Sequence, residues 1–144
     1  MQSFNRFMST VGRCAALWRE GRLAGTGLDA CDHPYLFYIC RHPNCSQEEL
    51  GRALFVNKSS VTRRLTHLER EGYVSRMQSA NDRRVLLVAP TEKAIAIRPL
   101  LLDMAKEWNS ILTRGFDEQE TAQFAALLER ALENAKAGVK DIAQ

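Results

Sequence analysis

The segment from residue 46 to residue 72 constrains the fold of this chain most strongly. Ser46-Gln-Glu-Glu49 matches a capping box, in which the serine hydroxyl and the glutamate carboxylate each accept a backbone N–H at a helix start. Asn57 is a suitable cap for a second helix over residues 58–71, and Gly72 is a suitable residue to end it. Only a short apolar turn separates the two helices. The sequence therefore predicts a helix-turn-helix.

Two short stretches typical of β-strands follow directly. Residues 73–77 and 84–88 are rich in strand-forming residues, and the polar residues 78–83 between them favour a turn. We therefore predict a two-stranded hairpin. A hairpin directly after a helix-turn-helix forms a wing.

Amphipathic helices are predicted on both sides of this unit. Apolar residues recur at spacings of three and four in two stretches: Phe4, Phe7, Val11, Cys14 and Trp18, then Ile97, Leu101, Met104, Trp108 and Ile111. Stripes with this spacing resemble coiled-coil seams and need a surface to bury against, which favours an intertwined homodimer. A helix with Pro34 in its first turn precedes residue 43, and a last helix begins near Asp117.

The predicted fold class is therefore mainly α (α+β), with a winged helix-turn-helix core and a two-stranded wing. We expect a single domain over residues 1–144, its core at 31–93 and its dimerisation helices at 1–22 and 94–144. No apolar run approaches the ~20 residues that a membrane span needs, and the N-terminus lacks a signal-peptide pattern. These features predict a cytoplasmic protein without a membrane partner.

The distribution of charge points to a polyanionic partner. Lys and Arg outnumber Asp and Glu between Ser46 and Pro90, whereas the reverse holds from Asp117 onward. Within the second helix of the pair, cations and small hydroxyls would allow close approach to double-stranded DNA, and Arg63 is long enough to reach a guanine edge. Arg83 and Arg84, held by Asp82 at the wing tip, suit a narrow minor groove.

The residues predicted to contact DNA are Ser46, Lys58, Ser59, Ser60, Thr62, Arg63, Thr66, Arg76, Asp82, Arg83 and Arg84. Arg76, together with Arg52, is assigned to the DNA backbone on the flanks.

Four segments resemble the winged-helix core of MarR-type transcriptional regulators: residues 46–50, 57–63, 68–76 and 82–93. The Leu68-Glu-x-x-Gly-x-x-x-Arg76 run, the Asp82-x-Arg84 motif and the following Thr-Glu-Lys93 carry the resemblance. It implies a homodimer that binds a pseudo-palindromic operator, usually as a repressor, and is released by a small ligand, an oxidant or a metal. It places Ser59, Ser60, Thr62 and Arg63 on the recognition helix and Asp82 and Arg84 in the wing. Pro90 and the short glycine-rich linker before Cys31 depart from the family pattern.

The sequence leaves the signal open. Cys14 matches the first-helix cysteine that senses oxidants in some relatives, but its place on the apolar stripe favours a core role. Trp18, His33, Tyr35 and Tyr38 could line a pocket for an aromatic acid or phenol, although ordinary core residues are the favoured interpretation. The cluster Cys31, His33, Cys40, His42 and Cys45 suggests zinc, but its helical spacing argues against convergence. No metal site is therefore predicted.

Two alternatives remain at this stage. One is a winged-helix module that binds proteins without DNA, and the other is a zinc-responsive regulator. No Gly-rich phosphate loop, nucleophile elbow or His-Glu-x-x-His motif occurs in the sequence, so we expect neither an enzyme nor a cofactor.

Overall fold

The computed structural model describes residues 3–142, so both ends of the predicted domain, residues 1–2 and 143–144, lie outside the described residues. The elements are α1 (Phe4–Leu23), α2 (His33–Arg41), β1 (Cys45–Ser46), α3 (Gln47–Leu54), α4 (Lys58–Arg70), β2 (Val74–Gln78), β3 (Leu86–Pro90), α5 (Glu92–Leu112) and α6 (Glu118–Ile142). The order of the predicted helices and of the hairpin is confirmed. The chain divides into two units, residues 1–105 and 106–144, and the described residues of each are treated separately.

The sheet has three strands where the sequence predicted only two. Its order is β1-β3-β2, with both pairs antiparallel, and Cys45 lies opposite Val88 while Val74 lies opposite Pro90. The hairpin β2–β3 is the predicted wing, so the correction concerns β1 alone. A strand of two residues is too short to show an alternating pattern, and it exists only because the partner strand β3 lies beside it.

One apolar core holds the first unit together. It runs from Leu23 at the end of α1, through Leu36, Leu50 and Leu65, to Met104 in α5. Leu50 and Leu65 have no exposed surface, because α3 and α4 pack their apolar faces against each other. This core fixes which side of α4 remains exposed.

The turn between α3 and α4 depends on local hydrogen bonds and close packing. Ser46 Oγ accepts from Glu49 N at 3.0 Å, and Ser46 N donates to Glu49 Oε2 at 2.7 Å, so the predicted capping box is confirmed. Phe55 ends α3 in the left-handed conformation at φ 58°, which is uncommon for a bulky residue. A Cβ on Gly51 would lie 3.1 Å from the backbone oxygen of Val56, so a glycine lets the turn fold back tightly.

Several predicted boundaries were wrong by a few residues. Helix α1 continues past Gly21 to Leu23, and the positive φ angles that break the helix occur at Gly25 and Gly27 instead. Strands β2 and β3 begin one and two residues later than predicted. A glycine in an exposed helix costs only about 1 kcal/mol, so the neighbouring helical residues outweigh it.

Residues 106–142 form the second unit. Asp117 Oδ1 accepts from Glu120 N at 2.8 Å, and Glu120 Oε2 accepts from Asp117 N at 2.9 Å, as the predicted cap at the start of α6 requires. Phe116 packs edge-to-face on Phe124 with ring centroids 5.6 Å apart. Among the described helices of both units, none has the length and apolar character needed to cross a membrane.

Glu49 gives the capping box a pH dependence. Its hydrogen bonds with Ser46, first of all that from the backbone N–H, lower the pKa of the Glu49 carboxyl below its ordinary value of 4.5. A carboxyl with a lowered folded-state pKa stabilises the fold above its unfolded-state pKa, and this contribution is lost as the pH falls through the lowered value. We expect Glu49→Gln to lose less stability than the wild type between about pH 5 and about pH 3.

Thermal unfolding at a series of pH values measures this effect. Glu48→Gln is the matched control, because Glu48 lies in the same helix turn and contacts Arg52 rather than the cap. Equal acid sensitivity in the wild type and Glu49→Gln would contradict the assignment.

Candidate nucleic-acid interface

The exposed face of α4 carries most of the residues predicted to contact DNA. Burial of Val61, Leu65 and Leu68 turns the opposite side of the helix outward. Five predicted residues of α4 are exposed and Ser60 is half-buried; the exposed ones are Lys58, Ser59, Thr62, Arg63 and Thr66. The structure therefore places these side chains together along one short helix.

Asn57 organises the start of this face. Its Oδ1 accepts from Ser60 N and from Ser59 Oγ, both at 2.9 Å, which confirms it as the helix cap. Arg63 donates from Nη2 to Ser60 Oγ at 3.2 Å. The guanidinium is thus held loosely along the exposed surface, beside the partial positive charge of the helix N-terminus.

The threonine hydroxyls are already engaged by the helix. Thr62 donates to Lys58 O at 3.0 Å, and Thr66 donates to Thr62 O at 2.8 Å. Phosphate oxygens only accept hydrogen bonds, so each threonine would have to release its carbonyl before it could bond a phosphate. In the observed rotamers the Thr62 oxygen remains an acceptor that suits an amino group on a base edge, whereas the Thr66 oxygen already accepts from Arg76 Nη2 at 3.2 Å.

The wing tip carries two exposed arginines, Arg83 and Arg84, and Asp82 contacts Arg84. Arg84 donates from Nε to Asp82 Oδ1 at 3.3 Å, and its backbone N donates to the same oxygen at 3.0 Å. Its side chain is nevertheless 92% exposed. Arg83 is exposed as well. Asp82 thus aligns the base of the Arg84 side chain and leaves the guanidinium accessible.

Arg76 has structural partners that the sequence did not predict, and Ser46 keeps the capping partner that the sequence predicted. The Arg76 guanidinium contacts Glu69 at 3.1 Å and Thr66 at 3.2 Å, and its side chain is only 16% exposed. The hydrogen bond from Arg76 lowers the pKa of the Glu69 carboxyl. Arg76 therefore joins the wing to α4, whereas the Ser46 hydroxyl serves the α3 cap. Arg52 is exposed and lies near Glu48.

A buried ionic cluster links α4 to the chain segment between α1 and α2. Asp32 has no exposed surface, and Arg64 Nη1 lies 3.1 Å from its Oδ1 while His67 Nε2 lies 3.3 Å from its Oδ2. Burial raises the pKa of the Asp32 carboxyl, opposed by the Asp29 N–H and by the charge of Arg64. Nothing local in the sequence indicates this cluster, because its partners lie more than thirty residues apart in the chain.

The described cysteines and histidines do not come together as a zinc site. Within residues 3–142, the group of potential ligands with atoms within 4.8 Å of one another is Asp29, Asp32 and His67. Arg64 already contacts both carboxylates there. Burial raises the pKa of Cys45 and of Cys40, which lowers their reactivity as nucleophiles.

Cys14 is exposed on this chain, contrary to the core role that its stripe favoured. The other stripe members Phe4, Phe7 and Val11 are exposed too, because none of the described residues of the first unit covers that side of α1. An apolar stripe indicates burial against some surface but does not say whether the same chain supplies it.

The residues predicted to line an effector pocket lie on α1 and α2. Tyr35 belongs to the buried core, whereas Trp18 and Tyr38 are partly buried at its edge. His33 stacks edge-to-face on Phe37, and burial, reinforced by the charge of Arg19, lowers its pKa. Arg19 Nε is buried and has no hydrogen-bond partner among the described residues.

The fold and the exposed face of α4 define a winged helix-turn-helix protein. A family model described as MarR family matches residues 26–85. Over 86 residues the chain is 28% identical to the HTH-type transcriptional regulator BilQ of Clostridioides difficile strain CD3; the match covers 60% of this chain and 58% of that protein. The match thus spans less than two thirds of that relative's length.

Solved structures show the same fold over nearly the whole chain. A MarR transcriptional regulator from Methanosarcina mazei Go1 aligns at TM-score 0.86 and 28% identity, covering 92% of this chain and 96% of that one. A putative MarR family transcriptional regulator from Listeria monocytogenes, complexed with 26mer DNA, aligns at TM-score 0.84 and 25% identity, covering 93% and 89%. In fold and in the sequence of residues 26–85, the chain is thus similar to winged-helix transcriptional regulators of the MarR family.

Arg76 and Arg84 provide a matched comparison of two arginines at the wing. We expect Arg76→Ala to lower the free energy of unfolding by about 1–3 kcal/mol, because it leaves Glu69 without its charged partner. We expect Arg84→Ala to change it by less than about 0.5 kcal/mol, because that side chain is exposed. Urea denaturation measures both, and an equal loss in the two variants would show that Arg84 is structural.

Proposed function

We propose that this chain works in the cytoplasm as a homodimeric repressor that binds a pseudo-palindromic DNA operator. Each α4 would enter a major groove, and each wing would reach the neighbouring minor groove. The observation that carries the proposal is the exposed N-terminal half of α4. It presents Lys58, Ser59 and Arg63 on one surface, and the wing tip adds Arg83 and Arg84 as further exposed cations.

The assignment of roles follows from what each side chain already contacts. Arg63 is the best candidate for base recognition, because only Ser60 holds it and its guanidinium can form two bonds to guanine. Lys58, Ser59, Arg83 and Arg84 suit phosphates or the minor groove. Asp82 aligns Arg84, whereas Arg76 supports the wing instead of touching DNA.

Exposed apolar surface supports the homodimer. Helix α1 exposes Phe4, Phe7, Met8 and Val11, and α6 exposes a comparable set: Leu127, Leu128, Leu132 and Val139. Large apolar side chains at regular helical spacing are unusual on a monomer's surface and favour association. A second copy of the chain is the partner that a symmetric operator requires.

An aromatic acid is the effector that the residues around His33 favour. The neutral imidazole, the Trp18 ring and the cation of Arg19 would suit an apolar ring with one anionic group. Binding there would release DNA by shifting the chain toward a form with lower DNA affinity. Oxidation of the exposed Cys14 is the second candidate signal, supported only by its accessibility.

The DNA-binding proposal is tested by fluorescence anisotropy with DNA from upstream of the protein's own gene, beside a scrambled duplex. We expect tighter binding to the upstream DNA and a steep loss of affinity as salt rises, because phosphate contacts release counterions. We expect Arg63→Ala to lower affinity by roughly tenfold or more and to reduce the preference for the upstream duplex. Arg130→Ala, an exposed arginine of α6, is the control.

Unchanged affinity and preference in Arg63→Ala would contradict the recognition-helix assignment. Absence of binding to both duplexes by the folded wild type would favour a winged helix that contacts proteins instead.

The homodimer is tested by analytical ultracentrifugation. We expect the wild type to sediment as a dimer and Val11→Glu to shift toward a monomer, because a carboxylate on the apolar side of α1 opposes burial. Arg13→Glu is the control, since Arg13 contacts Thr10 on an exposed part of the same helix. A monomeric wild type would overturn this part of the proposal.

A further inference from the structure

The segment between α1 and α2 is fastened to the end of α4 and to the residues that follow it. Tyr73 donates from its hydroxyl to Thr26 O at 2.6 Å. Thr26 in turn accepts from Leu28 N at 3.1 Å and donates to Leu23 O at 2.6 Å. The segment is therefore an ordered connection, although its glycines suggested a simple linker. We call residues 24–32 the strap.

Two acidic residues of the strap hold each other in place. Asp29 N donates to Asp32 Oδ2 at 2.7 Å, and Cys31 N donates to Asp29 Oδ1 at 2.8 Å. These bonds leave Asp32 Oδ1 and Asp29 Oδ2 for partners outside the strap, and Arg64 Nη1 contacts both oxygens. A single guanidinium thus bridges the two carboxylates.

His67 adds a second contact from the same side of α4, one turn further along. Arg70 Nη2 lies 3.1 Å from His67 Nδ1, and because a guanidinium only donates, Nδ1 must be the acceptor. The ring proton then sits on Nε2, which lies 3.3 Å from Asp32 Oδ2 but outside hydrogen-bond geometry, so this contact is electrostatic. Asp32 is completely buried, so its charge depends on these partners.

The neighbouring residues Arg63 and Arg64 of α4 therefore make different contacts. Arg63 lies exposed on the face assigned to DNA, whereas Arg64, about 100° around the helix, is held by the strap. Burial of Val61, Leu65 and Leu68 fixes which side of α4 is exposed, and a polar contact of fixed geometry restricts its rotation and tilt further. The Arg64 bridge is such a contact.

We propose that Arg64 is a positioning residue for DNA binding, which through its bridge to Asp32 and Asp29 fixes the orientation of α4 against the strap. This assignment rests on the proposed function. His67 supports the same orientation through Asp32. Arg64 does not touch DNA; it determines whether Arg63 and Lys58 arrive together at their contacts. The strap thereby joins α1, which is assigned to the dimer interface, to α4, which is assigned to the DNA major groove.

Two other roles for the cluster predict different behaviour. If Arg64 bound a phosphate directly, its loss would remove one contact and reduce the slope of log affinity against log salt by about one. If the cluster only stabilised the fold, its loss would lower the unfolding temperature without changing the affinity of the folded protein. A divalent cation is disfavoured because the Arg64 cation occupies the space between the carboxylates.

The test measures anisotropy of a fluorescein-labelled duplex from upstream of the gene at several salt concentrations. Arg64→Met, Asp32→Asn and the double variant are compared with the wild type, and Lys58→Met supplies the signature of a direct phosphate contact. We expect each single variant to lose roughly tenfold in affinity with an unchanged salt slope. The double variant should lose little more than either single variant, because both remove one coupled contact.

Arg64→Lys separates charge from geometry. A lysine keeps the positive charge but cannot bridge two carboxylates with a planar group. We expect Arg64→Lys to bind as weakly as Arg64→Met, whereas a direct phosphate contact would leave it close to the wild type. Circular dichroism confirms folding. Should Asp32→Asn unfold, Asp29→Asn at the half-exposed end of the bridge takes its place.

The outcomes are distinguishable. A wild type that binds DNA, with a reduced slope in Arg64→Met and normal affinity in Asp32→Asn, would assign Arg64 to a phosphate and overturn the positioning role. Wild-type affinity in all of these variants would overturn it as well. A folded wild type that binds no duplex would overturn the proposed function and this assignment with it.

Discussion

A carboxylate without exposed surface must be compensated, and Asp32 is compensated by a backbone N–H of the strap and by residues of α4. Removing a charge from water costs several kcal/mol unless partners of good geometry replace the solvent. Arg64, His67 and the backbone N–H of Asp29 supply those partners. The strap, the start of α2 and α4 are consequently bound into one arrangement. The burial of Leu65 and Leu68 on the same helix then leaves the side of α4 that carries Arg63 exposed.

The surface assigned to DNA combines small hydroxyl side chains with long cationic ones on one connected support. Asn57 caps α4, Gly51 permits the close turn, and Arg76 attaches the wing to the helix through Glu69 and Thr66. The wing arginines and the start of α4 therefore project from one connected framework. Such preorganisation matters because a site held by packing loses less conformational freedom on binding.

Much of this arrangement could be predicted from the sequence, because the relevant signals are local. The capping box at Ser46 and Glu49, the cap at Asn57 and the turn around Asp82 depend on residues within three or four positions of each other. Local hydrogen bonds of this kind form wherever the chain permits them. The order of helices and the wing followed from these signals and from apolar spacing.

The remaining features depend on contacts between different secondary-structure elements, which the sequence does not show. Strand β1 exists because β3 lies beside it, Arg76 contacts Glu69 at the end of α4, and Asp32 has partners on α4. A charged residue looks the same in a sequence whether it faces solvent, a phosphate or a buried carboxylate. The sequence by itself determined which elements form and where the turn between α3 and α4 lies, since those choices rest on neighbouring residues. Only the tertiary structure decided which arginines remain free and which are held, because that depends on packing between different elements, which for Arg64 and the strap are more than thirty residues apart.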